Sequence, residues 1–205
     1  FSGRVVVRQA NSILNQSYQS IGVRLWNWVG YHLCYRWADS ILVNSKNSEL
    51  EIKDILPALG KKLRLIYNPV VIEEGTNRSG AYLGPPMVLA SGRLTYQKDY
   101  PTLLRAFKQV LKNVDAHLVI LGDGPERPAI EALIIELGIK SSVELMGYVS
   151  SPVDYYTRAR VYVLSSRWEG FPNALAEALA ADCPAVVTNS MGASWEILNP
   201  ILPDN

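Results

Sequence analysis

The stretch Ser165-Ser-Arg-Trp-Glu-Gly-Phe-Pro-Asn-Ala-Leu-Ala-Glu-Ala-Leu-Ala180 concentrates the groups best suited to chemistry. An apolar strand ends near Leu164, a tight loop holds Gly170 and Pro172, and an alanine-leucine helix begins near Asn173. Open backbone N–H groups and the dipole at such a helix start attract an anion such as phosphate. Glu169 precedes the loop and Glu177 lies one turn into the helix, so two carboxylates flank that anion position. An ionised carboxylate only accepts hydrogen bonds, which suits it to sugar hydroxyls. The same spacing also fits plain duties: Glu177 complementing the dipole and Glu169 as a solvated loop charge. A second cluster, Gly92-Arg-Leu-Thr-Tyr-Gln-Lys98, sends Arg93 and Lys98 from another strand end. An arginine fork beside a lysine point charge suits a diphosphate whose charge grows as its bond to carbon breaks. Two ordinary surface cations would give the same letters.

The elements that must position these groups follow from the apolar pattern. Strand-length apolar blocks alternate with segments of helical period, the signature of βαβ units around a parallel sheet. Met87-Ser91 reads as a buried strand, followed by Leu103, Leu104, Phe107, Val110 and Leu111 at helical spacing. Asp99 is expected to cap that helix and Pro101 to sit in its first turn. His117-Leu121 is the next strand, and the stripe Ile130, Leu133, Ile134, Leu137 predicts a helix stopped by Gly138. Strands near Val143-Leu145, Val161-Leu164 and Ala185-Thr188, with helices near 152–158 and 173–181, complete a doubly wound α/β domain with a Rossmann-like parallel sheet over 87–205. Residues 1–70 repeat the scheme in shorter form, with strands at Val5-Val7, Ser40-Val43 and Leu63-Ile66 and helices near 12–37 and 46–56. They are expected to form part of a second Rossmann-like domain. Residues 71–86, polar and aperiodic with glycine and proline, read as a linker.

The 205 residues carry 20 basic and 19 acidic side chains, so no global field draws the chain to nucleic acid. The charges are unevenly placed: residues 1–70 hold nine basic and four acidic, a net +5, and residues 71–205 eleven and fifteen, a net −4. Apolar residues at 48% and charged residues at 19% fit a globular protein and exclude a disordered segment. Cys34 and Cys183 match no metal-ligand spacing and read as small core residues in a reducing compartment. No apolar run reaches membrane-spanning length and no leader peptide is visible, so a cytoplasmic location is expected. The first residue is Phe1 and no helix follows the last turn-like segment, which suggests a fragment.

Several of these motifs occur together in a fixed order. They are Gly92-Arg93 with Gln97-Lys98, Gly122-Asp-Gly-Pro125, Val143 to Gly147-Tyr148, Glu169-Gly-Phe-Pro-Asn-Ala-Leu-Ala-Glu177, Cys183-Pro-Ala-Val-Val-Thr188, Gly192, and Glu196-Ile. As an ordered set over residues 60–200 they resemble the donor-binding domain of the retaining glycosyltransferase family four, which has the GT-B fold. The paired glutamates with seven residues between them are that family's signature. The resemblance implies transfer of a sugar from a nucleotide-diphosphate sugar to a hydroxyl acceptor, with retention and without a bound metal or other cofactor. Arg93 and Lys98, at the Gly92 loop, would hold the donor diphosphate. Glu177 would hold the ribose, and Glu169, which together with Arg93 and Lys98 would serve catalysis, would contact the transferred sugar. Backbone around Gly170, Phe171, Pro172, Asn173, Ala174 and Leu175 would grip the distal phosphate or sugar, and Gly147-Tyr148 would lie against the base. Asp99 stands where a glycine commonly follows the lysine, and Met191-Gly-Ala-Ser-Trp195 replaces a more glycine-rich loop. Residues 1–70 resemble the end of the family's acceptor domain, with Asn11 as the candidate facing the cleft.

Residues 21–37 gather three of the five tryptophans with Arg24 and Arg36. Such a helix fits either an anionic membrane surface near a lipid-linked or cell-envelope acceptor, or a cover over a sheet. Two rivals to transfer remain at this level. One is a non-catalytic nucleotide-sugar binding module. The other is a dinucleotide-dependent oxidoreductase, since Gly122-Asp-Gly124 follows a strand and Glu144 lies 20 residues beyond Gly124. Arg127 replaces the third glycine of that fingerprint, and the strand is the second of its domain.

Overall fold

A computed structural model describes residues 4–9, 29–31, 33–70, 84–190 and 192–199. Asn11, His32, most of the aromatic stretch 21–37 and most of the linker lie outside the described residues. Packing divides the chain into two units that do not follow the sequence in simple halves. One comprises residues 1–69, 168–172 and 191–205, and the other residues 70–167 and 173–190.

In the first unit, β1 (Val6–Gln9), β2 (Ser40–Val43) and β3 (Leu63–Leu65) form a parallel sheet in that order. Ile41 and Val43 alternate into a core with Tyr35, Ile52, Leu56, Leu59 and Leu63, as the period of two requires of a half-buried strand. Residues 29–31 and 33–37 are helical. The helix Lys46–Ile55 opens on Ser45, whose hydroxyl accepts the Ser48 N–H at 3.1 Å. Its other open donors are met from far along the chain. Glu196, in the short helix Ser194–Leu198, accepts the N–H of Lys46 at 2.9 Å and of Asn47 at 3.0 Å. A carboxylate there satisfies two orphan donors and the dipole together.

The second unit is a five-stranded parallel sheet in the order β6 (Val143–Gly147), β5 (His117–Leu121), β4 (Met87–Ser91), β7 (Val161–Leu164), β8 (Ala185–Val187). The helices Tyr100–Val110, Arg127–Glu136, Val153–Arg158 and Asn173–Ala180 connect successive strands. This is the Rossmann-like doubly wound order, and its chain reversal lies between β4 and β7. Leu104, Phe107, Leu118, Ile120 and Ile130 fill the core on one side of the sheet. Each such side chain contributes about 1.5–3 kcal/mol relative to exposure. Gly138, at a φ of +66°, ends the helix Arg127–Glu136 as its position predicts.

Asp99 departs from expectation. It occupies the start of the helix Tyr100–Val110 in a left-handed conformation, φ 46°, and its side chain caps no backbone N–H. The carboxylate instead accepts the Thr102 hydroxyl at 3.0 Å and pairs with the Arg167 guanidinium at 2.9 Å. The left-handed backbone is the physical reason that glycine suits this position.

Candidate donor-binding site

Parallel strands deliver their following loops to one edge, and the reversal between β4 and β7 opens a crevice there. A cavity of about 460 Å³ lies at this edge of the second unit. Gly92 and Arg93 reach it from the end of β4, Gly122 and Asp123 from β5, and Tyr148 from β6. Asn173, Ala174 and Glu177, in the first turns of the helix after β7, close another wall. The structure therefore brings Arg93, Tyr148, Glu177 and an eight-residue helix's N-terminus to one space. A volume of this size falls within the range of small-ligand sites.

Lys98 does not line the cavity, but its side chain lies on Gly92, which does. The turn carrying Lys98 is tied down from the end of β7. The Ser165 hydroxyl donates to the Lys98 carbonyl at 2.7 Å, and the Arg167 N–H donates to the Gln97 carbonyl at 2.8 Å. The Arg167 guanidinium also stacks 4.3 Å from the centre of the Tyr96 ring while pairing with Asp99. Arg167→Ala is expected to lower stability by about 1 kcal/mol, the guanidinium being partly solvated. An unmoved denaturation midpoint would show that the guanidinium does not hold the turn.

The remaining sequence candidates fall elsewhere. Leu175 is fully buried, so only its backbone can serve a ligand. Glu169, Gly170, Phe171 and Pro172 pack with the first unit. There Glu169 is buried, its backbone lies against Gly192, and the Phe171 ring sits 6.0 Å from that of Tyr67. Asp123 enters the cavity wall without having been singled out. Its carboxylate accepts the Gly124 N–H at 2.7 Å and lies 3.8 Å from Arg127, which partly offsets its repulsion of an anion. Tyr156 is another lining residue that sequence reasoning passed over, with Ser91, Leu121, Val149 and Pro152. It reads there as a core residue of a short helix, and the position of that helix beside the sheet edge was the available signal.

The two glycines that imitate a dinucleotide fingerprint have a packing explanation. A Cβ on Gly122 would stand 2.1 Å from the Gly92 carbonyl oxygen, and one on Gly124 would stand 2.4 Å from that of Leu94. The Leu94 N–H donates to Asp123, and the Glu126 N–H to Leu94, both at 3.0 Å. This turn spends its backbone on the neighbouring loop rather than on a pyrophosphate, which removes the ground for the oxidoreductase reading.

Among the described residues no group of three or more His, Cys, Asp or Glu side chains could hold a metal ion, and no helix is long and apolar enough to cross a membrane. Cys34 is exposed rather than in a core, and Cys183 is buried as expected; neither is in a disulfide.

The model of the family "Glycosyl transferases group 1" matches residues 71–200. An uncharacterized glycosyltransferase of Methanocaldococcus jannaschii is 31% identical over 184 residues, 85% of this chain and 45% of its own length. The Campylobacter jejuni N-acetylgalactosamine-N,N'-diacetylbacillosaminyl-diphospho-undecaprenol 4-alpha-N-acetylgalactosaminyltransferase is 32% identical over 167 residues, 80% of this chain and 45% of its own. The crystal structure of Anabaena HepE in complex with UDP and glucose superposes with a TM-score of 0.78 at 20% identity, over 93% of this chain and 54% of that one. The solved neighbours are GT-B glycosyltransferases, and the chain spans about half the length of the curated relatives it matches. With the family model covering well over half of its residues and the same parallel-sheet architecture beneath it, the chain belongs to the group 1 glycosyl transferases.

Proposed function

We propose that the chain carries the donor-binding part of a retaining glycosyltransferase that moves a sugar from a UDP-sugar to a hydroxyl acceptor, with no bound metal. The observation that carries this reading is the meeting of Arg93, the start of the helix Asn173–Ala180 and Glu177 around one cavity at the strand ends. Arg93 and Lys98 hold the diphosphate and Glu177 the ribose. The exposed Tyr148 ring supports the base.

In the transfer, the bond between the anomeric carbon and the β-phosphate oxygen breaks as the acceptor oxygen bonds to the same carbon from the same face. The departing diphosphate takes the acceptor's proton, and the two cations meet the charge that develops on it. This is the work that a divalent ion would otherwise do, and it is why the reading includes no metal. UDP as the donor nucleotide is favoured by its presence in the Anabaena structure. A lipid-linked or cell-envelope glycan acceptor is favoured by the diphospho-undecaprenol in the Campylobacter relative's name. The reading accordingly includes work in the cytoplasm, at the inner face of the membrane.

Thermal-shift titration with UDP-, GDP- and ADP-sugars tests the donor class, since a ligand that binds only the folded state raises the melting temperature by mass action. A rise with a UDP-sugar is expected. No response to any of the three would overturn the reading. Slow hydrolysis of the bound donor would separate a transferase from a module that only binds.

A further inference from the structure

Glu177, the carboxylate assigned above to the ribose, does not stand alone in the cavity wall. The Tyr156 hydroxyl donates to its Oε2 at 3.1 Å. Tyr156 has a single proton, spent on that carboxylate, and Ser91 Oγ lies 3.1 Å from the same phenol oxygen and 3.3 Å from that of Tyr162, so its one proton is shared between the two phenols. These contacts link Ser91 at the end of β4, Tyr156 on the helix Val153–Arg158 and Glu177 on the helix Asn173–Ala180. The Tyr156 ring is held in turn by an edge-on contact with Tyr162, centroids 5.8 Å apart, and Tyr162 donates to the Ser91 carbonyl at 3.3 Å. Tyr156 is 1% exposed, and burial followed by the neighbouring Tyr162 phenol pushes its hydroxyl well above the ordinary tyrosine range. Its hydroxyl therefore stays protonated, and a donor, at neutral pH. Among the described residues nothing hydrogen-bonds the other carboxylate oxygen, Oε1.

We propose that Tyr156 is a positioning residue for nucleotide recognition: it fixes the plane of the Glu177 carboxylate through Oε2, so that Oε1 meets the ribose hydroxyls without a search over rotamers. This rests on the donor-site reading given above. A preset acceptor strengthens binding by removing the side-chain entropy that a free glutamate would lose on engaging the ligand. The contribution is therefore confined to ligands that possess ribose hydroxyls.

The test compares UDP with 2′,3′-dideoxy-UDP by calorimetric titration on the whole chain, in the wild type, Tyr156→Phe, Glu177→Gln and the double variant. The phenylalanine keeps the ring and its packing and removes only the donor. Tyr156→Phe is expected to weaken UDP three- to tenfold while leaving dideoxy-UDP within twofold. In the double variant the loss from Tyr156→Phe should disappear, because the oriented group is then already altered. Equal weakening of both nucleotides, or no weakening of either, would overturn the assignment of Tyr156 while leaving the donor site intact. If Tyr156→Phe does not fold, Ser91→Ala reports on the same contacts, and a change in the UDP to dideoxy-UDP ratio below twofold overturns the proposal. Wild-type protein that binds UDP but does not distinguish it from the dideoxy form would instead overturn the ribose role of Glu177, and that of Tyr156 with it. Wild-type protein that binds neither nucleotide would sink the donor-site reading itself.

Discussion

Gly122→Ala is expected to destabilise the second unit by about 3 kcal/mol or more, seen as a fall of roughly 10 °C in melting temperature. The added Cβ would lie 2.1 Å from the Gly92 carbonyl oxygen and 2.9 Å from its carbon, both backbone atoms that no rotamer change can move. Gly122 also sits at a φ of +128°, where an L side chain is strained in any surroundings. Relief requires the ends of β4 and β5 to part. That would break the 2.9 Å bond from the Gly92 N–H to the Leu121 carbonyl and disturb the 2.7 Å bond from Gly122 to Gly147. Because these atoms frame the cavity, UDP binding should fall together with stability. Gly138→Ala is the matched control: its φ is also positive, at +66°, but nothing lies within 4 Å of the new methyl, so a loss of only about 1 kcal/mol is expected. Similar losses in the two variants would show that backbone strain alone, and not the close approach, governs this edge.

Arg93→Ala and Lys98→Ala are each expected to reduce turnover at least tenfold, or about 1.4 kcal/mol of barrier. Nucleoside binding should change less, because in the proposed transfer the cations meet charge that grows on the diphosphate as the sugar departs. The two should differ in character. Arg93 is exposed and reaches the cavity directly, so its loss should appear in turnover with little change in stability. Lys98 packs its methylene carbons on Gly92, so its removal should also loosen that loop. Single-turnover measurements on donor cleavage separate the two effects. Unchanged turnover in both variants would remove the cationic leaving-group mechanism.

Much of this was legible in the letters. The five strands of the second unit, the glycine that ends the helix Arg127–Glu136 and the gathering of Arg93 with the alanine-rich helix all follow from periodicity and from the rule that loops after parallel strands share one edge. What stayed hidden depended on contacts distant in sequence. Asp99 looked like a cap because aspartate before a helix usually is one, and only Arg167, 68 positions on, shows why its carboxylate turns away. Gly122 and Gly124 looked like a phosphate cradle until the neighbouring loop proved to occupy the space above them. Tyr156 has the spacing of a core aromatic, and its burial agrees with that. Its function depends on where one hydroxyl points, which no periodicity encodes. Glu169 to Pro172, adjacent in sequence to the helix they introduce, pack with the other unit for want of any local signal.

The carboxylate of Glu196 closes the first turn of a helix 150 positions earlier in the chain. During synthesis at about 5–20 residues per second, that helix must therefore wait roughly 8–30 s for its distant partner. Until then the amides of Lys46 and Asn47 lack that acceptor, while Ser45 already caps Ser48. Strands β1 to β3 can pair early, but the unit to which they belong is completed only after the whole five-stranded sheet has emerged, so of the two units the earlier to start is the later to finish.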